Sequence, residues 1–345
     1  MYDSNHGRRR WFRLACGVAA IALVAAGCGD DDDDGEASSG SEIEGDVFVT
    51  GSSTVEPISV RVAELYADVE PGVNVDVQGP GTGDGFAAFC AGEADISDAS
   101  RAIEEDEVAA CEDSGVEFVE LKVGYDGLSV LVNPANPIEC LSFADLYALV
   151  GPESQGFANW QDAQPLATQL GSDTQFPDLP LEITAPGEES GTYDAFLDLA
   201  GIEDIALEQG LSEDDAAALR KDYQASPDDN VIIAAMEGAE SPLGFVGYAF
   251  AEGAGEGVKL LEVDGGSGCV APSRDTIADG SYPLSRTLYI YVSKTKLAES
   301  PALQAYVDYY VSDTGLIEAV TGTGYVELPA DQIEATRSTW TTESA

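Results

Sequence analysis

The stretch Asp46-Val47-Phe48-Val49-Thr50-Gly51-Ser52-Ser53-Thr54-Val55-Glu56-Pro57-Ile58 passes from an apolar run through a polar turn into a segment of helical character. Residues 46–51 read as a short buried strand, residues 53–67 as a helix and residues 73–77 as the next strand. The same alternation recurs outward from this unit. Helices are expected at residues 83–91, 103–112, 143–149, 193–200, 212–221, 229–237 and 301–311, and strands at 116–123, 128–132, 181–184, 244–248, 258–263 and 286–292. This predicts an α/β fold with open sheets covered by helices on both faces, and shows no clear repeat. Residues 124–133 and 284–292 combine β-branched or aromatic residues with polar breaks. They are expected to pair as strands crossing between two domains.

The length of 345 residues favours two domains, and an apolar fraction of 44% suffices for a substantial core. At the amino end, Arg8, Arg9, Arg10 and Arg13 precede an apolar run over residues 14–26. It closes in Val24-Ala25-Ala26-Gly27-Cys28 and is followed by Gly29 and five aspartates. The run is too short for an ordinary membrane span. Small residues before one cysteine predict an export signal over residues 1–27, cleaved and then lipidated at Cys28 as in a bacterial lipoprotein. Residues 28–45 read as an acidic tether to the cell membrane, because Asp, Gly, Glu and Ser build no core. Cleavage leaves 318 residues with 11 basic and 63 acidic side chains, a formal charge of −52. That field disfavours nucleic acid and anionic membrane surfaces as partners.

With Cys16 in the signal and Cys28 at its end, Cys90, Cys111, Cys140 and Cys269 remain for the folded part. An exported protein with four such cysteines is expected to hold two disulfides, for which three pairings exist. The preferred pairing joins Cys90 to Cys111, closing a local helical hairpin, and Cys140 to Cys269, closing a long excursion. The spacing has no CxxC character, and the one histidine lies in the signal, so neither a Cys/His zinc site nor any cofactor is expected.

Four polar loops follow strands or precede helices. The first, Gly51-Ser52-Ser53-Thr54-Val55-Glu56-Pro57, offers backbone N–H groups and hydroxyls at a helix start, which suits an anion as well as a simple cap. The second, Gly79-Pro80-Gly81-Thr82-Gly83-Asp84-Gly85-Phe86, allows close backbone approach and supplies the Thr82 hydroxyl, but lacks the lysine of a nucleotide P-loop. The third, Asp95-Ile96-Ser97-Asp98-Ala99-Ser100-Arg101, ends in one of the few basic residues, whose planar fork suits two anionic oxygens or a salt bridge. The fourth, Ala185-Pro186-Gly187-Glu188-Glu189-Ser190-Gly191-Thr192-Tyr193, again places hydroxyls and N–H groups at a helix start. Four loops of one physical type in two halves of one chain point to an anion site.

In combination and order, these motifs resemble the periplasmic-type phosphate-binding proteins of ABC phosphate transporters, the PstS family in its broad sense. Gly244-Phe245-Val246-Gly247-Tyr248 and Tyr282-Pro283-Leu284-Ser285-Arg286 resemble its cysteine-containing branch. The resemblance spans nearly the whole mature chain. It implies a two-lobed clamp of the periplasmic-binding-protein kind, type II-like, with mixed sheets flanked by helices and lobes joined by two crossing strands. Residues 46–125 with 290–345 would form lobe I, and residues 126–289 lobe II. Inorganic phosphate would be the ligand and an integral-membrane ABC permease the partner, with the binding protein a monomer. Carried over by motif, the ligand contacts are Ser53, Thr54 and the Val55 backbone, then Thr82, then Ser100 and Arg101, then Ser190, Gly191 and Thr192. Much of the family has an aspartate in the place of Ser100, and an arginine where this chain has Pro186. Arg101 is therefore expected to supply the positive group. The carboxylate accepting a proton from phosphate is sought among Asp98, Glu188 and Glu189, with Asp98 preferred.

Enzymatic alternatives are weaker. After cleavage the chain has no histidine, and its serines sit in neither a G-x-S-x-G elbow nor an S-x-x-K pattern. A metal-dependent phosphatase would need a compact ligand motif, and none rises above the acidic background. A binding protein for another tetrahedral oxyanion, or a surface adhesion protein retaining the clamp, stands as the third reading.

Overall fold

The computed structural model describes residues 43–238 and 242–344. The export signal, Cys28 and the tether as far as residue 42 lie outside the described residues. Nine strands build one mixed sheet: β1 (Gly45–Gly51), β2 (Val73–Gln78), β3 (Ile96–Ala99), β4 (Phe118–Val132), β6 (Glu182–Ala185), β7 (Gln224–Ala225), β8 (Pro242–Gly247), β9 (Lys259–Leu260) and β12 (Ser285–Ser293). A small second sheet holds β5 (Cys140–Ser142), β10 (Glu262–Asp264) and β11 (Cys269–Val270). The large sheet runs β2-β1-β3-β12-β4-β8-β6-β7, with β9 added on β4.

Its two ends are parallel and its middle is antiparallel. β1 pairs in parallel with β2 and β3, while β6 pairs in parallel with β8 and β7. Between them β12 lies antiparallel to both β3 and β4, and β4 antiparallel to β8. β4 is long enough to serve both ends: residues 118–127 face β12, and Leu128–Val132 face β8. Of the two stretches expected to pair, residues 124–127 lie against residues 285–288, while Leu128–Val132 lie against β8 instead. Val47, Val49, Ile96, Val130, Val132 and Ile290 are fully or almost fully buried, as strands covered on both faces require.

Helix α1 (Glu56–Ala67) and helix α2 (Thr82–Cys90) pack on the first three strands, and helix α3 (Glu105–Ser114) packs on α2. Cys90 of α2 is bonded to Cys111 of α3, and Cys140 of β5 to Cys269 of β11, the preferred pairing. No helix among the described residues is long and apolar enough to cross a membrane.

Several boundaries differ from expectation. The stretches 116–123 and 128–132 form one strand, because Gly124 and Gly127 do not break it. They make room instead: a Cβ on Gly124 would meet Val320 at 3.0 Å, and one on Gly127 would meet Ile277 at 2.6 Å. Conversely, residues 258–263 divide between two sheets, with Leu261 turning the chain from β9 to β10. The helix expected at 212–221 stops at Ala216. Beyond it the Arg220 backbone N–H donates to Val150, and its buried guanidinium donates to the Phe157 carbonyl and to Asp222. A carboxy-terminal helix, Ala330–Glu343, escapes the periodicity reading because only Ile333, Thr336 and Trp340 are buried along it.

Candidate functional site

The first three polar loops leave the carboxyl ends of the parallel strands β1, β2 and β3, and the fourth leaves the carboxyl end of β6. Ligands of open α/β sheets bind at such ends. Two glycines bring the backbones close. Gly51 has φ +140°, and a Cβ there would lie 2.1 Å from the Asp98 carbonyl oxygen, so only glycine fits. Gly85 approaches from α2, where a Cβ would lie 2.4 Å from the Gly51 Cα.

The first loop is held by its own hydroxyl. Ser52 Oγ accepts from the N–H groups of Thr54 (3.2 Å) and Val55 (3.4 Å), while the Ser52 N–H donates to the Asp98 carbonyl (2.9 Å). The Val55 N–H is thus engaged within the turn. In the second loop, Thr82 opens α2, and its hydroxyl lies 3.1 Å from that of Ser100, whose N–H also points to Thr82 (3.3 Å). Ser53 sits where loops meet: a Cβ on Gly79 would be 3.1 Å from Ser53 Cα, and one on Gly191 would be 3.9 Å from the Ser53 carbonyl oxygen. The fourth loop opens the helix Gly191–Leu199. Ser190 caps it, accepting from the Thr192 N–H at 3.2 Å. The structure therefore brings Ser53 beside Gly191 and joins Thr82 to Ser100.

Arg101 stands apart, contrary to expectation. Both terminal nitrogens form a fork onto Glu107 at 2.8 Å each, Nε lies 3.2 Å from Glu104, and the guanidinium sits 5.6 Å from the Phe86 ring centroid. The cause is local. Glu104, Glu105, Asp106 and Glu107 crowd the start of α3, and the nearest cation in sequence is drawn to them.

The cation at the cluster is Arg286 of β12, whose side chain is only 14% exposed. It donates through Nη2 to the Thr54 hydroxyl (2.9 Å), through Nη1 to Asp198 (2.7 Å) and through Nε to Asp126 (3.3 Å). Asp126 is its register partner on β4 and is itself buried. Burial raises the Asp126 carboxyl above its ordinary value; Arg286 opposes the rise and Asp198 adds to it. Asp194, in the first turn of the helix Gly191–Leu199, is raised by burial and lowered by Arg286.

Asp98 likewise does not face this cluster. Along β3, Asp98 is directed to α1, where its Oδ1 accepts from the Ser59 hydroxyl at 2.9 Å, whereas Ser97 faces Gly85 of α2. Asp98 is fully buried, its Oδ2 has no hydrogen-bond partner among the described residues, and burial pushes its carboxyl up to about 8. Glu188 and Glu189 are exposed, beside a cavity of about 330 Å³ that Tyr193, Tyr223 and Lys221 also line. The residues that sequence reasoning missed are Asp126 and Asp198. Arg286 entered it only as part of a motif. Its signal is a rare basic residue at the start of a largely apolar strand.

Among the described residues, the one group of ligating atoms close enough for a metal is Cys140, Glu262 and Cys269. Both cysteines are consumed by their disulfide, so the group offers no thiolate.

The profile described as a PBP superfamily domain matches residues 36–314. A Synechocystis protein called Protein SphX is 34% identical over 322 residues, 92% of this chain and 87% of that protein. A Staphylococcus saprophyticus protein called Phosphate-binding protein PstS is 30% identical over 323 residues, 93% of this chain and 91% of that protein. The solved structure of a possible phosphate binding protein from Planctomyces limnophilus superposes with a TM-score of 0.76 at 33% identity, covering 87% of this chain and 99% of that one.

Proposed function

The chain belongs to the PBP superfamily, and we propose that it captures inorganic phosphate outside the cytoplasm and delivers it to an ABC-type permease. It is a binding protein rather than an enzyme. The observation that carries the reading is the convergence of hydroxyl- and glycine-bearing loops from β1 and β6 on one cation, with Arg286 on Thr54 and Gly191 beside Ser53. Relatives named for phosphate binding support the choice of ligand. The ligand contacts are Ser53, Thr54, Thr82, Ser100, Ser190, Gly191 and Thr192, with Arg286 in the role first given to Arg101. The clamp divides into lobe I, residues 46–125 and 290–345, and lobe II, residues 126–289. β4 and β12 form the connection across which ligand-dependent closure takes place. A lipid on Cys28 holds the monomer at the cell membrane through the acidic tether.

Calorimetry of the mature chain with phosphate, sulfate, arsenate, molybdate and phosphate esters tests this reading. One phosphate per chain, bound more tightly than the others, is expected; preference for a different oxyanion, or no phosphate binding, would overturn it. Arg101→Ala, measured in the same titration, is expected to leave phosphate affinity within about threefold. Its half-exposed contacts with Glu104 and Glu107 are worth about 1 kcal/mol or less of stability, read by thermal unfolding.

A further inference from the structure

Among the described residues, a single ion pair joins residues 46–125 and 290–345 to residues 126–289: Arg274 Nη1 donates to Glu327 Oε1 at 2.6 Å. The rest of that guanidinium is fixed on its own side. Nε lies 3.0 and 3.1 Å from the two oxygens of Glu252, Nη2 lies 2.8 Å from one of them, and the Tyr248 hydroxyl donates to Glu252 at 3.2 Å. Glu252 ends the helix Tyr248–Glu252 and Arg274 begins the helix Arg274–Ala278. Glu327 is fixed on the other side, next to Val326, which exchanges backbone hydrogen bonds with Tyr125 at 2.8 and 2.9 Å. The Phe250 ring adds an apolar contact between the same two segments: a Cβ on Gly324 would lie 2.4 Å from it.

The anchors of this pair straddle one residue of β4. Val326 is tied to Tyr125, and Ile277, on the helix that Arg274 begins, fills the space over Gly127. A bend of β4 at Asp126 therefore moves Glu327 relative to Arg274. The pair is made in an arrangement where loops of the two halves also touch, with Arg286 on Thr54 and Gly191 beside Ser53. Resting on the phosphate reading above, we infer that Arg274 and Glu327 form a clasp across the crossing strand that holds the two halves closed on the ligand. The second oxygen of Glu327 is buried with no hydrogen-bond partner among the described residues, so Arg274 is the group that compensates this carboxylate, and a bend that parts them leaves it unpaired. The clasp touches no ligand. It acts on the closed fraction, by which the intrinsic dissociation constant is divided to give the apparent one. Because the Arg274 side chain is 44% exposed, the effect is several-fold rather than many orders of magnitude.

Two glutamates on one arginine supply the test and its control. Glu327→Gln and Glu252→Gln each remove a carboxylate charge from Arg274, but only the first acts between the halves. In phosphate titrations of the mature chain at low salt, Glu327→Gln should weaken affinity about three- to tenfold, while Glu252→Gln should leave it within about twofold. The loss should appear as faster release with unchanged capture in stopped-flow measurements, and the order of preference among oxyanions should stay that of the wild type. At about 1 M salt, where the Debye length is about 3 Å, Glu327→Gln and wild type should converge. Arg274→Glu should bind more weakly than Glu327→Gln, and combining it with Glu327→Arg should recover most of the affinity, which keeps the test independent of any one variant's folding. Equal affinities of Glu327→Gln and wild type at low salt, an equal loss in Glu252→Gln, or no recovery in the swapped pair overturns the clasp while leaving phosphate capture standing. No phosphate binding by the wild type overturns the proposed function itself.

Discussion

Arg286→Ala is expected to weaken phosphate binding by about a hundredfold or more, the largest effect of any single substitution in the cleft. The guanidinium is mostly buried, and it touches Thr54 of the first loop and Asp198 of the helix that the fourth loop opens. Its removal withdraws charge-assisted hydrogen bonds that a lysine cannot reproduce with one point charge. It also leaves Asp126 and Asp198 facing an anion with no cation between them. Arg286→Lys should therefore fall between alanine and wild type. Because Asp126 stays buried without its partner, Arg286→Ala should also cost about 3–5 kcal/mol of stability. Adding Asp126→Asn should return much of that stability without returning affinity, which separates the two effects. Calorimetry and chemical unfolding measure them. An Arg286→Ala protein that binds phosphate within threefold of wild type would remove Arg286 from the site.

The contrast between Arg286 and Arg101 shows which parts of the site the sequence carries. The four loops were legible because each is a short-range signal: a glycine or serine at a strand end, then a helix start. The paired disulfides were legible for similar reasons of composition and compartment. The cation was not, because Arg286 lies 232 residues from Thr54 and 160 from Asp126 along the chain. Only the antiparallel register of β12 on β4 brings Arg286 opposite Asp126. Arg101 was attractive because it adjoins the third loop, but the acidic start of α3 lies nearer still and takes it. Asp98 misled in another way. Successive residues of a strand point to opposite faces, so a polar residue inside an Asp-Ile-Ser-Asp run has an even chance of pointing away from the loop that follows. Here it points under α1.

That placement gives Asp98 a different consequence, in stability rather than in ligand choice. Its carboxyl is fully buried against Ser59 of α1; the Tyr310 hydroxyl lies 3.1 Å from the same Ser59 oxygen, and Tyr306 donates to the Ser59 carbonyl at 3.2 Å. Glu56, on the first turn of α1, adds negative potential, and burial remains the main cause of a carboxyl pushed up to about 8 from 3.8. The folded protein thus keeps a proton that the unfolded chain releases. Below about pH 4 both states hold it and its contribution to stability is full. Between about pH 4 and about pH 8 the unfolded state alone is ionised, so stability is lost as pH rises; above about pH 8 the folded state carries the buried charge and the loss is complete. The loss is on the order of a few kcal/mol. Asp98→Asn keeps an acceptor for Ser59 and cannot ionise. Its unfolding midpoint should therefore lie near that of the wild type at about pH 4.5 and rise above it progressively toward about pH 9. The difference between the two proteins isolates Asp98 from the many exposed acids, which titrate alike in both. Since the Asp98 carbonyl also anchors the Ser52 N–H of the first loop, phosphate affinity in Asp98→Asn reports whether that anchor is disturbed. A stability difference that does not change between those two pH values would show that Asp98 is ionised in the folded protein throughout, with its burial compensated by contacts other than a proton.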